Sequence, residues 1–415
     1  MAQRVVVACA VAALCGCSPY GGGEFACTTD DQCGAGGKCA AGFCAFPDSD
    51  CTDSGFRYGE LSGPHSGECV GGDQDGGVDT PDGPSGFCYG TGLVTACFAS
   101  APTNTQTYSN TQQIDTDSTT MCATTVNQVD ACVVAAQMIN VNSGVIVGGT
   151  GSRPLVLVAT QTITINGILA VGSSRTFNFV GAGVDMAGCN TGTNPTVSSG
   201  GAGGSFGGAG GNGAVAGGGA AGVAGAPITV TSLRGGCSGQ AGADNAAPMD
   251  PGERGRGGGA VYLIAEMSIT VGGNGAIAAS GGAGGGGGAS AGAGAGGGGS
   301  GGFIGLDTPM IANAGSIFAN GGAGGEGSGT MSTGNDGQDS TSATAAAIGG
   351  NGGSNFGTDG GNGSVGATLT GSQAAAACTA PCTTPTAGGG GGGGAGVIKH
   401  YRAPSIGGNV SPPAT

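Results

Sequence analysis

The stretch Gly259–Gly282 reads GAVYLIAEMSITVGGNGAIAASGG, and it decides the fold class. It contains three short apolar runs, Val261–Ala265, Ile269–Val271 and Ala276–Ser280, which are separated by a polar link and by a glycine turn. Short runs rich in β-branched residues and bounded by glycine are typical of strands, and no helical periodicity is present. We therefore predict an all-β unit of two or three short strands with turns at the corners.

The same pattern occurs earlier in the chain. Val133–Gly148 reads VVAAQMINVNSGVIVG and Leu157–Gly172 reads LVATQTITINGILAVG, at an offset of 24 residues. The offset aligns Gln137 with Gln161, Ile139 with Ile163, Val141 with Ile165, Asn142 with Asn166, Val147 with Val171 and Gly148 with Gly172. Later copies are Phe303–Gly321 and Val397–Val410. Such repeats bury their apolar faces by stacking, so we predict a parallel β-helix, or β-solenoid, of about five rungs. The alternative is a β-sandwich with glycine-rich loops.

Three long glycine-rich segments interrupt the repeats. They are Gly172–Gly258, Gly281–Gly302 and Gly321–Gly396, and each leaves just after the last strand of a rung. Insertions that leave from one corner lie on one face, where they can stack. Because glycine lets backbones approach closely, we predict packed strands of the polyglycine II type. The alternative is a flexible glycine-rich coil.

Composition excludes several classes of protein. The chain has 101 glycines in 415 residues and 8% charged residues, whereas an ordinary globular chain has about 7% glycine and about 25% charged residues. Collagen is excluded because there is no Gly-x-y period. The net charge of −15 disfavours nucleic-acid binding. Matches to Gly-x-Gly-x-x-Gly arise by chance in such a chain and none opens a helix, so we predict no cofactor.

Residues 1–17 have the pattern of a signal peptide. Arg4 precedes the apolar run Val5–Leu14, which is too short to span a bilayer. The sequence Leu14-Cys15-Gly16-Cys17 resembles the lipobox of bacterial lipoproteins, which implies that Cys17 is lipidated and anchors the chain in a membrane. Ser18 replaces the aspartate of the inner-membrane retention signal, so the resemblance implies the outer membrane. The alternative is an ordinary secretory signal.

The remaining cysteines favour an oxidising compartment. Apart from Cys9, Cys15 and Cys17, fourteen cysteines are disulfide candidates: Cys27, Cys33, Cys39, Cys44, Cys51, Cys69, Cys88, Cys97, Cys122, Cys132, Cys189, Cys237, Cys378 and Cys382. The first six lie in a segment with few large apolar side chains, which needs covalent staples. Sequence alone leaves their pairing open. Zinc is disfavoured because no Cys-x2-Cys pair occurs and His65 is the only nearby histidine, so we predict no metal.

These observations divide the chain into five parts. They are the signal peptide (1–17), a disulfide-rich module (18–70), an acidic Gly/Pro linker (71–86), a disulfide-stapled cap over the N-terminal end of the solenoid (87–130) and the glycine-rich solenoid (131–415). Asp73 and Asp75 in the linker resemble the start of a calcium loop. The position of the required glutamate is Pro84, so a solvated linker is the better interpretation.

From about Cys27 onward the chain resembles a family of glycine-rich bacterial exported lipoproteins whose function is not established. The resemblance is carried by the cysteine-rich stretch Cys27–Cys51, by Arg153–Thr160 (RPLVLVAT), by Gly258–Ala265 (GGAVYLIA) and by the closing Gly394–Tyr401 (GAGVIKHY). It implies the fold and the location and says nothing about chemistry.

One polar patch is the candidate functional site. Asp250, Glu253, Arg254 and Arg256 lie in MDPGERGRGGG, directly before a rung, and stacking of rungs can add Asp307. Glu266, Lys399 and Arg402 can join in the same way. Parallel β-helix enzymes that cleave polysaccharides use acidic and basic residues of this kind on a strand face. The simpler interpretation is that the arginines are solvated loop charges paired with Asp250 and Glu253.

The residues favour a protein that is not an enzyme. No Ser-His-Asp spacing joins His65 and His400. We predict a lipid-anchored cell-envelope protein with a structural or surface-interaction role, whose partners are the membrane and either envelope glycans or other surface proteins. The alternative is a carbohydrate-binding or polysaccharide-degrading β-helix. An ice-binding face of Thr162, Thr164 and Thr270 is disfavoured because three threonines do not make a regular array.

Overall fold

The protein is all-β and consists of two compact units, Met1–Pro84 and Ser85–Thr415. The computed structural model describes residues 26–52, 54–59, 62, 65–70, 87–122, 130–184, 188–245, 249–289, 292–351, 357–376 and 386–415. One helical element lies entirely within these residues, the 3-10 turn Asp30–Cys33. No helix in the described ranges is long and apolar enough to cross a membrane.

Disulfides take the place of a hydrophobic core in the first unit. Its sheet is antiparallel and contains β1 (Lys38–Ala40), β2 (Phe43–Pro47) and β3 (Phe56–Tyr58). Three bridges join its segments: Cys27–Cys39, Cys33–Cys44 and Cys51–Cys69. The buried cluster at its centre consists of cysteine side chains. The predicted disulfide-rich character of this region is therefore confirmed.

The second unit contains one hairpin and two larger sheets. The hairpin pairs β4 (Phe87–Tyr89) with β5 (Ala96–Phe98) and is bridged by Cys88–Cys97. In chain order the remaining strands are β6 (Thr105–Tyr108), β7 (Gln112–Asp115), β8 (Cys132–Val141), β9 (Ile146–Thr150), β10 (Leu155–Ile165), β11 (Ile168–Ala170), β12 (Ala260–Ala265), β13 (Ser268–Val271), β14 (Ala276–Ala278), β15 (Phe303–Thr308), β16 (Ile311–Asn313), β17 (Ser316–Phe318), β18 (Val397–Arg402) and β19 (Asn409–Ser411).

Both larger sheets are parallel. The eight-stranded sheet runs β16-β13-β10-β12-β15-β18; in addition β8 pairs with β10, and β6 pairs with β8. The six-stranded sheet runs β19-β17-β14-β11-β9-β7. Each repeat contributes strands to the first sheet and then one strand to the second, so copies of the same strand lie side by side. The predicted repeat therefore corresponds to parallel strand stacking.

The predicted offset of 24 residues is only partly right. Ile163 lies opposite Ile139, as predicted, but Leu155 lies opposite Cys132, an offset of 23 (155 − 132). Leu169 lies opposite Val147, an offset of 22 (169 − 147), where the sequence predicted Val171. An irregularity after Ala159 in β10 absorbs the first difference. The second is an even shift, which leaves the same residues facing inward because side chains alternate with period two.

The segment 87–130, which was predicted to cap the N-terminal end of the solenoid, contributes strands to both sheets. Its strands β6 and β7 pair in parallel with β8 and β9, so both sheets begin inside this segment. Val94 and Ala96 in and beside the hairpin pack with Tyr262 and Phe303. The β4–β5 hairpin therefore covers the outer face of later strands, because that face carries large apolar side chains.

Strands β12 and β15, and residues Leu155–Ala159 of β10, are buried on both faces. Their inward side chains, such as Leu263, pack in one core with Leu169 and Ile317 from the other sheet. On the opposite face Tyr262 packs with Phe206, which lies in the first glycine-rich segment. Burial on both faces explains why these strands read as continuous apolar runs and do not alternate.

The glycine-rich segments are ordered by backbone hydrogen bonds to one another. The N–H of Gly282 donates to the carbonyl of Arg256 at 2.9 Å, and three residues later the N–H of Gly285 donates to Glu253 at 2.8 Å. The same three-residue step recurs between other segments, as in Gly298 to Gly391 and Gly301 to Gly394. A step of three residues is that of polyglycine II, as predicted, and not that of a flexible coil. We call residues 172–258, 281–302 and 321–396 together the glycine block.

Candidate functional site

An open groove of about 870 Å³ lies in the glycine block. Its walls come from the hairpin that begins at Ser174, from segments near Thr191, Gln240 and Gly282, and from Asp336. The groove also includes Glu253, Arg254 and Arg256, three residues of the predicted polar patch. The volume falls in the range of about 300–1,000 Å³ that is usual for small-ligand sites.

A half-buried carboxylate, that of Asp339, fixes the hairpin that forms one wall. Asp339 accepts hydrogen bonds from the Ser174 hydroxyl at 2.7 Å and from the backbone N–H groups of Arg175 (2.9 Å), Thr176 (3.0 Å) and Ala283 (2.9 Å). Burial alone would raise the pKa of Asp339, but these hydrogen bonds to the ionised form hold it below the usual range. Asp339 therefore ties the hairpin to the second glycine-rich segment.

The groove contains an ion-pair network centred on Arg175. Its guanidinium lies 3.1 Å from the Glu253 carboxylate and 2.8 Å from that of Asp336. Both carboxylates are largely exposed, so each contact contributes roughly 0–1 kcal/mol. Burial would lower the pKa of Arg175, but the two carboxylates raise it. The network therefore orients the guanidinium and neutralises its charge, and adds little stability.

The backbone of the glycine block places Glu253 and Arg256 on the same side of their segment. Their carbonyls accept from successive positions of the neighbouring segment, Gly285 and Gly282, because they are three residues apart. The glycines between and after the charged residues are buried, while Glu253, Arg254 and Arg256 are exposed. In the sequence ERGRGGG, charged side chains that line the groove are thus interspersed with glycines that pack inside the glycine block.

Arg254 differs from Arg175 in its pairing. It lines the groove and is exposed, and no residue of the described ranges forms an ion pair or hydrogen bond with its guanidinium. The predicted partners are accounted for otherwise. Glu253 pairs with Arg175, and Asp250 does not line the groove. The simpler interpretation paired Arg254 and Arg256 with Asp250 and Glu253; in the described residues Arg254 forms no ion pair with either carboxylate.

Asp307 belongs to a second, separate cluster. It lies in β15 with its side chain fully buried and accepts from the backbone N–H groups of Thr91 (2.6 Å) and Gly92 (2.9 Å). Arg402 donates to it at 2.7 Å and also pairs with Glu266 at 3.1 Å. The sequence predicted that Asp307, Glu266, Lys399 and Arg402 join residues 250–256 by stacking. In the described residues Asp307, Glu266 and Arg402 instead contact one another, and no contact joins them to residues 250–256.

The surroundings of Asp307 indicate a structural cluster. The Tyr262 hydroxyl lies 3.3 Å from the Asp307 carboxylate, and burial followed by this negative charge raises the pKa of Tyr262. The loop that contains Thr91 and Gly92 covers the carboxylate. Both oxygens of the buried Asp307 carboxylate accept hydrogen bonds from the protein. The carboxylate therefore holds the β4–β5 hairpin on the sheet and has little capacity left to bind a ligand.

The cysteines of the described residues form disulfides. Besides the four bridges given above, Cys122–Cys132 and Cys189–Cys237 join parts of the second unit. Sulfurs of Cys27, Cys33 and Cys44 lie within 4.8 Å of one another, but each is already bonded in a disulfide, so they offer no thiolate to a metal. Cys17, Cys378 and Cys382, as well as the linker 71–86, lie outside the described residues.

One bridge has an unusual neighbour. The Arg234 guanidinium lies 3.1 Å from the Cys189 sulfur and 3.8 Å from the Cys237 sulfur. Arg234 is buried, and its guanidinium lies 5.7 Å from the centre of the Phe206 ring. The bridge therefore closes the first glycine-rich segment beside a buried positive charge.

Sequence analysis missed Arg175, Asp336 and Asp339. They are 78, 83 and 86 residues from Glu253, counted from 253 − 175, 336 − 253 and 339 − 253; Arg175 lies at the other end of the same insertion as Glu253, and the two aspartates lie in the third insertion. Charged residues are few in these segments, which was a usable signal. Their meeting depends on how three segments pack, and that packing has no repeat that the sequence displays.

No protein-family model, curated protein or solved structure matches this chain.

Proposed function

We propose that the chain is a non-catalytic, lipid-anchored protein of the cell envelope with a structural or surface-interaction role. The disulfides of both units support an oxidising compartment outside the cytoplasm. The lipobox-like sequence at Cys17 and the resemblance to glycine-rich exported lipoproteins support an anchor in the outer membrane. Acyl chains on Cys17 would supply the stable attachment.

The two parallel sheets support closure into a β-solenoid. Successive repeats place a strand in one sheet and then in the other, and the inward side chains of both sheets share one core. In this proposal about five rungs follow a partial first rung made by β6 and β7. The three glycine-rich segments leave from the neighbouring strands β11, β14 and β17, so they leave at one corner.

The packing of the glycine block is the observation that carries the structural role. Loops that leave a rigid scaffold at equivalent positions commonly present side chains for catalysis or binding. Here they use their backbone N–H and C=O groups on one another, as in the bond from Gly391 to Gly201 at 2.9 Å. A chain built in this way favours rigidity over a catalytic surface.

Lipid attachment tests the location. The full chain is expressed in a bacterium that processes lipoproteins, and a fatty-acid label is followed in wild type, Cys17→Ser and the control Cys15→Ser. We expect label and outer-membrane fractionation for wild type and for Cys15→Ser, and loss of both for Cys17→Ser. Label that persists in Cys17→Ser would contradict the anchor.

Complementation tests the role. In host cells that lack the protein, we expect lysis on osmotic downshift to increase and wild type to restore resistance. Gly299→Val, which disrupts the glycine block, should fail to restore it, while Arg254→Ala should succeed. Rescue by Gly299→Val at equal protein level would refute a role for the rigid block.

A second candidate function is carbohydrate binding, and the groove is the observation that favours it. It is open and combines arginine, carboxylate and amide side chains with the Phe179 ring. Sites for small ligands typically combine an apolar surface with a few polar groups in this way.

A further inference from the structure

We propose that the groove binds an acidic oligosaccharide through a sugar carboxylate held by Arg254. This inference rests on the carbohydrate-binding candidate and is independent of the scaffold role, which does not involve the groove.

Charge is the first argument. Three arginines line the groove against two carboxylates, Glu253 and Asp336, and both carboxylates already pair with Arg175. Arg254 has no counterion in the described ranges, although the whole chain carries a net charge of −15. An exposed cation that an acidic protein leaves unpaired, inside a concave site, favours an anionic ligand.

The wall chemistry is the second argument. Backbone donors in the wall are used within the glycine block, since the N–H of Gly239 donates to Gly255 at 3.0 Å and that of Gly282 donates to Arg256 at 2.9 Å. Recognition therefore falls to side chains. A guanidinium fits a carboxylate with two parallel hydrogen bonds, which an ammonium cannot do.

The remaining lining is suited to sugar rings. Asn178 and Asn194 present exposed amides, and Thr191 presents a hydroxyl, all of which can exchange hydrogen bonds with sugar hydroxyls. Phe179 is half-buried and offers an apolar surface to the C–H face of a ring. The arrangement therefore combines one charge contact with several neutral polar contacts, as an acidic sugar requires.

The hairpin keeps this arrangement in place without the ligand. Asp339 holds Ser174 and the N–H groups that follow it, so Asn178 and Phe179 are carried on a fixed turn. Ser174 and Phe179 also form an isolated bridge with a backbone hydrogen bond from the N–H of Phe179 to the Ser174 carbonyl at 2.8 Å. A site that is formed in advance loses less entropy on binding.

The test is calorimetric titration of the full chain, in detergent and with its disulfides oxidised, with a defined galacturonate oligosaccharide. The same oligosaccharide as its methyl ester is the uncharged comparison. We expect Arg254→Ala to weaken binding roughly 10- to 100-fold, because a hydrogen bond to a charged group is lost. Lys399→Ala removes the same charge outside the groove and should leave binding unchanged.

Three results would overturn the proposal. They are the absence of binding by wild type, equal binding of the methyl ester, and equal weakening by Lys399→Ala and Arg254→Ala. Because Arg254 is exposed, its variant should keep the wild-type circular dichroism spectrum, which checks folding. The scaffold role is judged by lipid labelling and complementation, so its failure and that of this proposal are separate.

Discussion

Replacement of a single interior glycine tests whether the glycine block is packed. Gly299 lies in the second glycine-rich segment, where its N–H donates to Gly282 and its carbonyl accepts from Gly322, both at 2.9 Å. A Cβ at this position would overlap the carbonyl oxygen of Arg256, and further contacts are backbone atoms of Gly257. Because backbone cannot rotate away as a side chain can, Gly299→Ala must push two segments apart.

The size of the effect follows from these contacts. Forcing one extra carbon into a packed interior costs about 1–3 kcal/mol. Two backbone hydrogen bonds are stretched at the same time, and each contributes about 0.5–1.5 kcal/mol. We therefore expect Gly299→Ala to lower the free energy of unfolding by about 2–6 kcal/mol, a large share of the about 5–15 kcal/mol typical of folded proteins.

The assay is guanidinium unfolding followed by far-ultraviolet circular dichroism, with hydrogen exchange of peptides from 292–302 as a local readout. Gly273→Ala is the matched control, since a Cβ there meets no atom within 4 Å. It should be neutral or stabilise by about 0.4–1 kcal/mol, because the unfolded chain loses freedom. If Gly299→Ala behaves like Gly273→Ala and the 292–302 amides exchange freely, the packed block is refuted.

Three further outcomes are expected. Asp307→Asn should destabilise the second unit by about 3–5 kcal/mol in the same unfolding assay, because it leaves buried donors without their charged partner; a loss below about 1 kcal/mol would contradict the structural role of the cluster. The pKa of Asp339 is lowered in the folded state, so the stability that its ionised carboxylate contributes is complete above the unfolded pKa of about 3.9 and is lost as pH falls through the folded pKa. The difference in thermal midpoint between wild type and Asp339→Asn should therefore shrink below about pH 4. A difference that stays constant with pH would contradict a stabilising role of the ionised Asp339 carboxylate. Arg234→Met should slow reduction of the Cys189–Cys237 disulfide by dithiothreitol severalfold, because the nearby guanidinium stabilises the leaving thiolate. The rate is measured by alkylation and mass spectrometry, with Cys88–Cys97 as the internal reference. Equal reduction rates in wild type and the variant would refute that role.

The stacking of strands was predictable because each repeat carries the same inward-facing apolar positions. Ile139 and Ile163 occupy equivalent inward positions, and any arrangement that buries one buries the other. The strand register was predictable only where no irregularity intervened. The changes of register before Thr162 and before Leu169 leave the pattern of inward side chains intact, so the sequence gives no sign of them. The strand at Thr105–Tyr108 was missed because its polar residues, TQTY, do not resemble the apolar repeats.

The candidate site was half predictable for a related reason. Glu253, Arg254 and Arg256 are adjacent in sequence, and a local cluster of charge in a chain with 8% charged residues is visible without structure. Arg175 reaches the cluster from the far end of the same segment, and Asp336 reaches it from the third segment of the glycine block. Hydrogen bonds between glycines set those contacts, and one glycine in sequence looks like the next.

The energetics of the glycine block explain why it is attached to strands at both ends. Glycine loses the most conformational freedom on ordering, at a backbone cost of roughly 1–2 kcal/mol per residue, and it brings no side chain to bury. Backbone hydrogen bonds return only about 0.5–1.5 kcal/mol each, so the free energy of ordering an isolated block would be close to zero.

The segments of the glycine block leave from β11, β14 and β17 and return to β12, β15 and β18, all of which are already aligned by their sheets. The sheets thus supply the alignment that the glycines cannot supply for themselves, and the block in return covers the apolar outer face at Tyr262. It follows that interior glycines tolerate no side chain, whereas rim positions such as Arg254 can change without loss of the fold, so a binding specificity can be altered at the groove while the packed block stays constant.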